Sequence, residues 1–155
     1  MARRALSVLI VLGIVSVLTL PGHADTQSIG GAAGAACGPA PSTVAAGAQG
    51  TAGASFPNDL DGTNNCSSLC AKWVIFCKAA VAGSKTCWSK AGNTYATLKK
   101  AECATDSDPG SVQSCKDDVT VQLDAFKEGL AVNAEDGVEF CEGSGRGACI
   151  VTCSL

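Results

Sequence analysis

Ten cysteines are the residues of this 155-residue chain with the most chemistry to offer: Cys37, Cys66, Cys70, Cys77, Cys87, Cys103, Cys115, Cys141, Cys149 and Cys153. Thiols in such number close disulfides, hold a metal, or work as a redox-active pair. A redox pair is usually spelled Cys-x-x-Cys, and that spacing does not occur in the chain. A zinc site wants histidine or two close cysteine pairs of the zinc-ribbon kind, and neither is present beyond the single His23. Five structural bridges are therefore expected, with no metal and no cofactor.

The expected compartment agrees with that chemistry. Arg3 and Arg4 precede an uncharged run from Ala5 to Leu20, and Pro21-Gly22-His23-Ala24 sets small residues before a cut after Ala24. Residues 1–24 thus have the build of a secretory signal peptide. The rival is an uncleaved anchor, but an apolar run of this length reaches only about 24 Å against a ~30 Å hydrocarbon core. The expected localisation is secreted or otherwise extracytoplasmic, in the periplasm or outside the cell, where disulfides persist. No membrane span is expected after signal cleavage.

Cleavage would leave a mature chain with no histidine, the usual general base and the usual partner of a nucleophilic Ser or Cys. Triad hydrolases, papain-like proteases and His-ligated zinc enzymes drop out. Losing Arg3 and Arg4 also leaves acidic residues in excess, so no basic face for phosphate neutralisation is expected and nucleic acid is excluded as a partner.

The elements that must position the cysteines read as helices. Residues 25–64 are rich in Gly and Ala, with only Ile29, Val44, Phe56 and Leu60 as larger apolar side chains, and read as a flexible low-complexity arm. The texture changes at Asn65. Cys66, Cys70, Trp73, Cys77 and Val81 recur at helical steps on one stripe, from an Asn65 cap to a stop at Gly83. Trp88, Ala91, Tyr95 and Leu98 share a face of a second segment from about Lys85 to Ala104, weakened by Gly92. Asp108-Pro109 marks a third start, followed by Val112, Cys115, Val119, Leu123, Phe126 and Leu130 on one face. After Gly137 come Val138, Phe140 and Cys141, then a glycine-rich turn at 143–147 and a tail with Cys149 and Cys153. Residues 65–155 therefore read as one all-α domain, a small disulfide-stapled bundle of three to four helices preceded by the Gly/Ala-rich arm.

Helical spacing also constrains the pairing. Cys66 and Cys70 lie one turn apart, as do Cys149 and Cys153 if the tail is helical, so each pair reaches across to another element. With the first helix and the tail antiparallel, Cys66 faces Cys153 and Cys70 faces Cys149, and the ladder continues with Cys77 toward Cys141. Cys103 and Cys115 flank the 106–109 turn and would clamp it. Cys87 lies nearly opposite Cys103 on its helix and takes Cys37 by elimination. The twin Cys-x3-Cys text resembles the α-hairpinins and related helical hairpins over four residues, Cys66, Cys70, Cys149 and Cys153. In those families a short turn joins the two pairs, whereas here most of the domain separates them, and no function is carried over.

The remaining constellations read as structural. Residues 58–65 are oxygen-rich, but Gly62 and Cys70 stand where a calcium loop would want other residues, so a turn and cap is expected. Asn65-Cys66-Ser67 matches a glycosylation triplet whose cysteine is expected in a bridge. Glu102, Asp106, Asp108, Asp117, Asp118 and Asp124 read as solvated faces rather than a glycosidase pair. Trp73 and Trp88 read as core, with a binding anchor as the lesser alternative. Ser144 to Gly147 lacks the strand and lysine of a phosphate loop. The expected function is an exported, non-catalytic binding or structural module whose partner is an extracytoplasmic protein or surface component. The alternatives are a secreted effector such as an inhibitor or toxin, and then a carboxylate- or disulfide-dependent enzyme.

Overall fold

The computed structural model describes residues 28–47 and 66–153, all helix and short connections with no strand among them. Residues 1–24, read from the sequence as a signal peptide, residues 25–27 and 48–64 of the arm, and the expected 58–65 turn with its Asn65 cap lie outside the described residues. The elements are α1 (Ile29–Cys37), α2 (41–47), α3 (Cys66–Cys103), α4 (Pro109–Glu142) and α5 (Ser144–Cys153). At about 1.5 Å per residue, α3 and α4 are rods of roughly 57 and 51 Å. They form a long antiparallel hairpin. α5 continues beyond α4 along the start of α3, and α1 and α2 pack against the middle of the hairpin.

Two helices read from the sequence are one. α3 runs through both Gly83 and Gly92 without interruption. A mid-helix glycine costs only about 1 kcal/mol relative to alanine. On either side of Gly83 the helix is pinned, by Cys77 and Val81 in the core and by Cys87 in a bridge. The buried face beyond it also differs from the Trp88, Ala91, Tyr95 and Leu98 stripe: Gly92, Ala96 and Cys103 are buried, while Leu98 is 60% exposed. Gly92 is inside because Phe126 and Ile29 lie against its bare backbone; a Cβ there would overlap the Phe126 ring and sit 3.2 Å from Ile29.

The turn between α3 and α4 is built by carboxylates. Asp108 caps α4, its Oδ2 accepting the Ser111 N–H at 2.9 Å, with Pro109 in the first turn. Asp106 accepts the Ser111 hydroxyl at 2.7 Å and the Asp108 N–H at 3.1 Å. Those hydrogen bonds, the Ser111 hydroxyl foremost, hold its carboxyl below the usual range. A lowered folded-state pKa means that this contribution is complete above the ordinary carboxylate pKa and is lost as pH falls through the lowered value. Asp106→Asn is therefore expected to lower stability slightly at neutral pH and to converge on the parent protein in acid, which flattens the acid limb of a stability-against-pH curve. An unchanged acid limb would contradict the assignment.

The arm holds structure that its composition concealed. Residues 28–47 were read as part of a flexible segment, and they form two helices packed on the bundle. Ser28 caps α1 by accepting the Gly31 N–H at 3.1 Å, and Gly38 ends it at φ 73°. Ile29, Ala33 and Cys37 stand at steps of four, turning two buried residues and one bridge toward the hairpin. A Cβ on Gly34 would make an ordinary contact with the Trp88 ring at 3.7 Å, so alanine fits there as well. In α2, Ala45 is fully buried, and Ser42 exchanges two hydrogen bonds with Asn133 of α4, accepting from Nδ2 at 2.9 Å and donating its N–H to Oδ1 at 3.0 Å.

The interior is thin. Among the described residues the buried apolar side chains are Ile29, Leu69, Trp73, Val81, Leu130 and Pro41, with four alanines and four half-cystines. Trp73, Cys77, Val81, Ala134 and Cys141 form its centre with Ala45. α3 also contains an 18-residue window of mean hydropathy 1.3, long and apolar enough by composition to cross a bilayer, contrary to the sequence reading that no later stretch qualifies. Its Cys66, Cys70 and Cys77 are bonded to α5 and α4, and Leu69, Trp73 and Val81 are buried, while 28% of the window is buried overall and Ile75 and Phe76 stand 67% and 66% exposed.

A matched pair of glycine substitutions tests this packing. Around Gly83 a Cβ would meet nothing within 4 Å, so Gly83→Ala is expected to stabilise by about 0.5–1 kcal/mol. At buried Gly145 a Cβ would lie 2.5 Å from Trp73 Cη2 and 2.9 Å from the Phe140 carbonyl oxygen. Gly145→Ala should gain the same helix propensity and still lose about 1–3 kcal/mol net as α5 is levered off Trp73. Thermal midpoints moving in the same direction for both variants would contradict the packing described.

Candidate functional site

Two features of the hairpin could do chemistry, the sulfur ladder and a cavity beside it. All ten cysteines are bridged. Cys66 joins Cys153 and Cys70 joins Cys149, binding α3 to α5; Cys77 joins Cys141 and Cys103 joins Cys115, binding α3 to α4; Cys37 joins Cys87, binding α1 to α3. The structure thus brings together the four pairs read from helical spacing and the turn, and also Cys37 with Cys87, which was reached by elimination alone. Their Cα atoms stand 5.7–5.9 Å apart, within the ordinary range for a bridge. The rungs keep step because only Gly143 leaves the helical conformation between α4 and α5, and the sequence-level break over 143–147 is confined to that residue. Five crosslinks at five levels of one long helix belong to an oxidising, extracytoplasmic environment.

The carboxylates singled out in the sequence are placed on the surface. Asp106 and Asp108 serve the α4 cap, Glu102 pairs with Lys99 at 2.8 Å, and Asp117 accepts from the Gln113 amide at 2.8 Å. The structure does not bring them into one cleft with Asp118 and Asp124. Ser144 to Gly147 lie in the first turns of α5, with buried Gly145 against Trp73. Among the described residues no group of three or more His, Cys, Asp or Glu side chains could hold a metal ion.

The cavity was not found by sequence reasoning. It has a volume of about 270 Å³ and opens between α1, α3 and α4, lined by Gly30, Ala40, Trp88, Phe126, Leu130 and Asn133, with Ala125 and Gly129 on the α4 side. Trp88 and Phe126 stand nearly parallel, 10° between planes and 6.4 Å between centroids. Gly92 lets Phe126 settle on α3. The two tryptophans therefore have different roles. Trp73 is 3% exposed in the core centre, while Trp88 is half-buried in a cavity wall. Its Nε1–H is buried without a hydrogen-bond partner, a state that costs about 1–3 kcal/mol. No protein-family model matches the chain, and neither the characterised proteins nor the solved structures contain a significant match to it.

Proposed function

We propose that this chain is an exported, non-catalytic module that works by binding or as a structural component outside the cytoplasm. The observation that carries the reading is the spread of five bridges along the whole of α3, from Cys66 to Cys103. Crosslinks at that density suit a small protein that must stay folded without a large core and without cytosolic chaperones. The carboxylates support the non-catalytic part. They lie on the surface in a helix cap, an ion pair and a side-chain hydrogen bond rather than facing one another across a cleft, as acid and base of one reaction must. The partner class remains that of the sequence reading, an extracytoplasmic protein or surface component, with no role for nucleic acid. Fractionation of the native source with N-terminal sequencing tests the proposal. A chain beginning at Asp25 outside the cytoplasm is expected, and an uncleaved chain in the cytosol with open thiols would refute it.

A further inference from the structure

We infer that the outer face of α3 docks on the surface of an anionic phospholipid bilayer, lying along it without crossing it. The inference deepens the reading of this chain as a module for a surface component, and it rests on that reading. Charge is the first observation. Between Cys66 and Ala101, α3 carries six lysines, Lys72, Lys78, Lys85, Lys90, Lys99 and Lys100, and no Asp or Glu. The chain's net acidity conceals this basic helix, because the acids are sorted onto α4, where eight exposed Asp and Glu stand against Lys116 and Lys127. Glu142 pairs with Lys78 and Glu102 with Lys99. Among the described residues Lys72, Lys85, Lys90 and Lys100 have no carboxylate partner, so an external anion can take them.

Position is the second observation. The α4 helix covers the side of α3 that carries Cys77, Val81, Gly92, Ala96 and Cys103. Lys72, Ile75, Phe76, Ala79, Gly83 and Lys90 recur at helical steps on the side turned away from it, and all six are exposed. This face therefore joins free ammonium groups to two large bare apolar side chains. A lipid interface satisfies both, with phosphates for the lysines and the acyl boundary for Ile75 and Phe76, since lysine stems lie along apolar surface while their heads stay wet. Farther along α3 a groove lined by Lys85, Ser89, Lys90 and Asn93 offers ammonium, hydroxyl and amide donors to a headgroup phosphate. Other occupants fit less well. A soluble polyanion would use the lysines and leave Ile75 and Phe76 in water, and a second α3 would set lysine against lysine. Threading α3 through the bilayer would drag in acidic α4, to which Cys77 and Cys103 bind it.

Flotation of the full, disulfide-bonded chain with vesicles of pure phosphatidylglycerol or pure phosphatidylcholine tests the inference. Phosphatidylglycerol vesicles are expected to bind at least about tenfold more tightly, by a margin that narrows with added salt. Lys72→Glu/Lys90→Glu should weaken that binding at least about tenfold, because two attractive charges become repulsive. Ile75→Ser/Phe76→Ser alters side chains that pack little in the free protein, so circular dichroism should be unchanged while binding falls about tenfold or more. The control Val121→Ser/Lys127→Glu makes the same kinds of change on α4, where Val121 is 69% exposed, and should leave binding within about twofold. Equal affinity for the two vesicles, or a control variant as weak as the α3 variants, would overturn the inference. So would full affinity in Ile75→Ser/Phe76→Ser, which would mark a polyanion site instead of a lipid one. Any of these results in a fully bridged, exported chain leaves the module reading standing, whereas reduced thiols in cytosolic material sink that reading whatever the vesicles do.

Discussion

Full reduction of the five disulfides is expected to abolish the cooperative unfolding transition and to remove most of the helical circular dichroism at room temperature. The magnitudes decide this. Among the described residues, apart from Ile29, Pro41, Leu69, Trp73, Val81 and Leu130, the buried apolar set is alanine and half-cystine. Such a set supplies far less transfer free energy than a core of leucines and phenylalanines, at roughly 25 cal/mol per Å² buried. Against it stands the ordering of two rods of 38 and 34 residues, at about 1–2 kcal/mol per residue. A bridge contributes about 2–4 kcal/mol, so five together match or exceed the ~5–15 kcal/mol net stability of an ordinary domain. Near-native helicity in millimolar reductant at neutral pH would show that packing alone holds the hairpin.

The second large effect is an ordering among bridges that sequence separation alone gets wrong. Cys66–Cys153 spans 87 residues and Cys37–Cys87 only 50. Yet the outer rung lies one helical turn beyond Cys70–Cys149, so with that rung intact it closes only the short steps 66 to 70 and 149 to 153 in the unfolded chain. On the chain-entropy account a loop of about ten residues is worth about 2.5 kcal/mol, and one of about 50 residues about 4 kcal/mol. No other bridge shortens the 37 to 87 loop, and losing it also frees Ile29 and Ala33 from the hairpin. The double variant Cys37→Ser/Cys87→Ser is therefore expected to lose more stability than Cys66→Ser/Cys153→Ser. Urea denaturation of the two proteins measures the difference, and an equal or reversed order would contradict the nested-rung picture. Cys87 is solvent-exposed, so its bridge should also open first under limiting reductant.

What could be read from the sequence follows from how helices convert spacing into distance. Cys66, Cys70 and Cys77 against Cys141, Cys149 and Cys153 form a ladder because steps along two antiparallel helices advance equally in space. The same arithmetic explains the misreadings. Gly83 reads as a stop because propensity disfavours glycine, but propensity is a weak term beside two anchored flanks. Leu98 was placed inside by an apolar stripe, whereas the α1 and α4 contacts select Gly92 and Ala96, which hydrophobicity counting cannot recognise. α1 was hidden for the same reason. Its signal is a Ser28 cap, a Gly38 end and small residues at steps of four, a pattern that glycine-rich composition masks. The cavity was illegible because its walls come from α1, α3 and α4 and its volume depends on where Phe126 settles on Gly92.

Proteolytic peptide mapping of natively sourced, unreduced protein, with alkylation of any open thiol, tests most directly whether sulfur holds this chain together. Five linked peptide pairs are expected, joining Cys37 to Cys87, Cys66 to Cys153, Cys70 to Cys149, Cys77 to Cys141 and Cys103 to Cys115, with no alkylated cysteine. Alkylated cysteines throughout a chain that is nonetheless folded would contradict it.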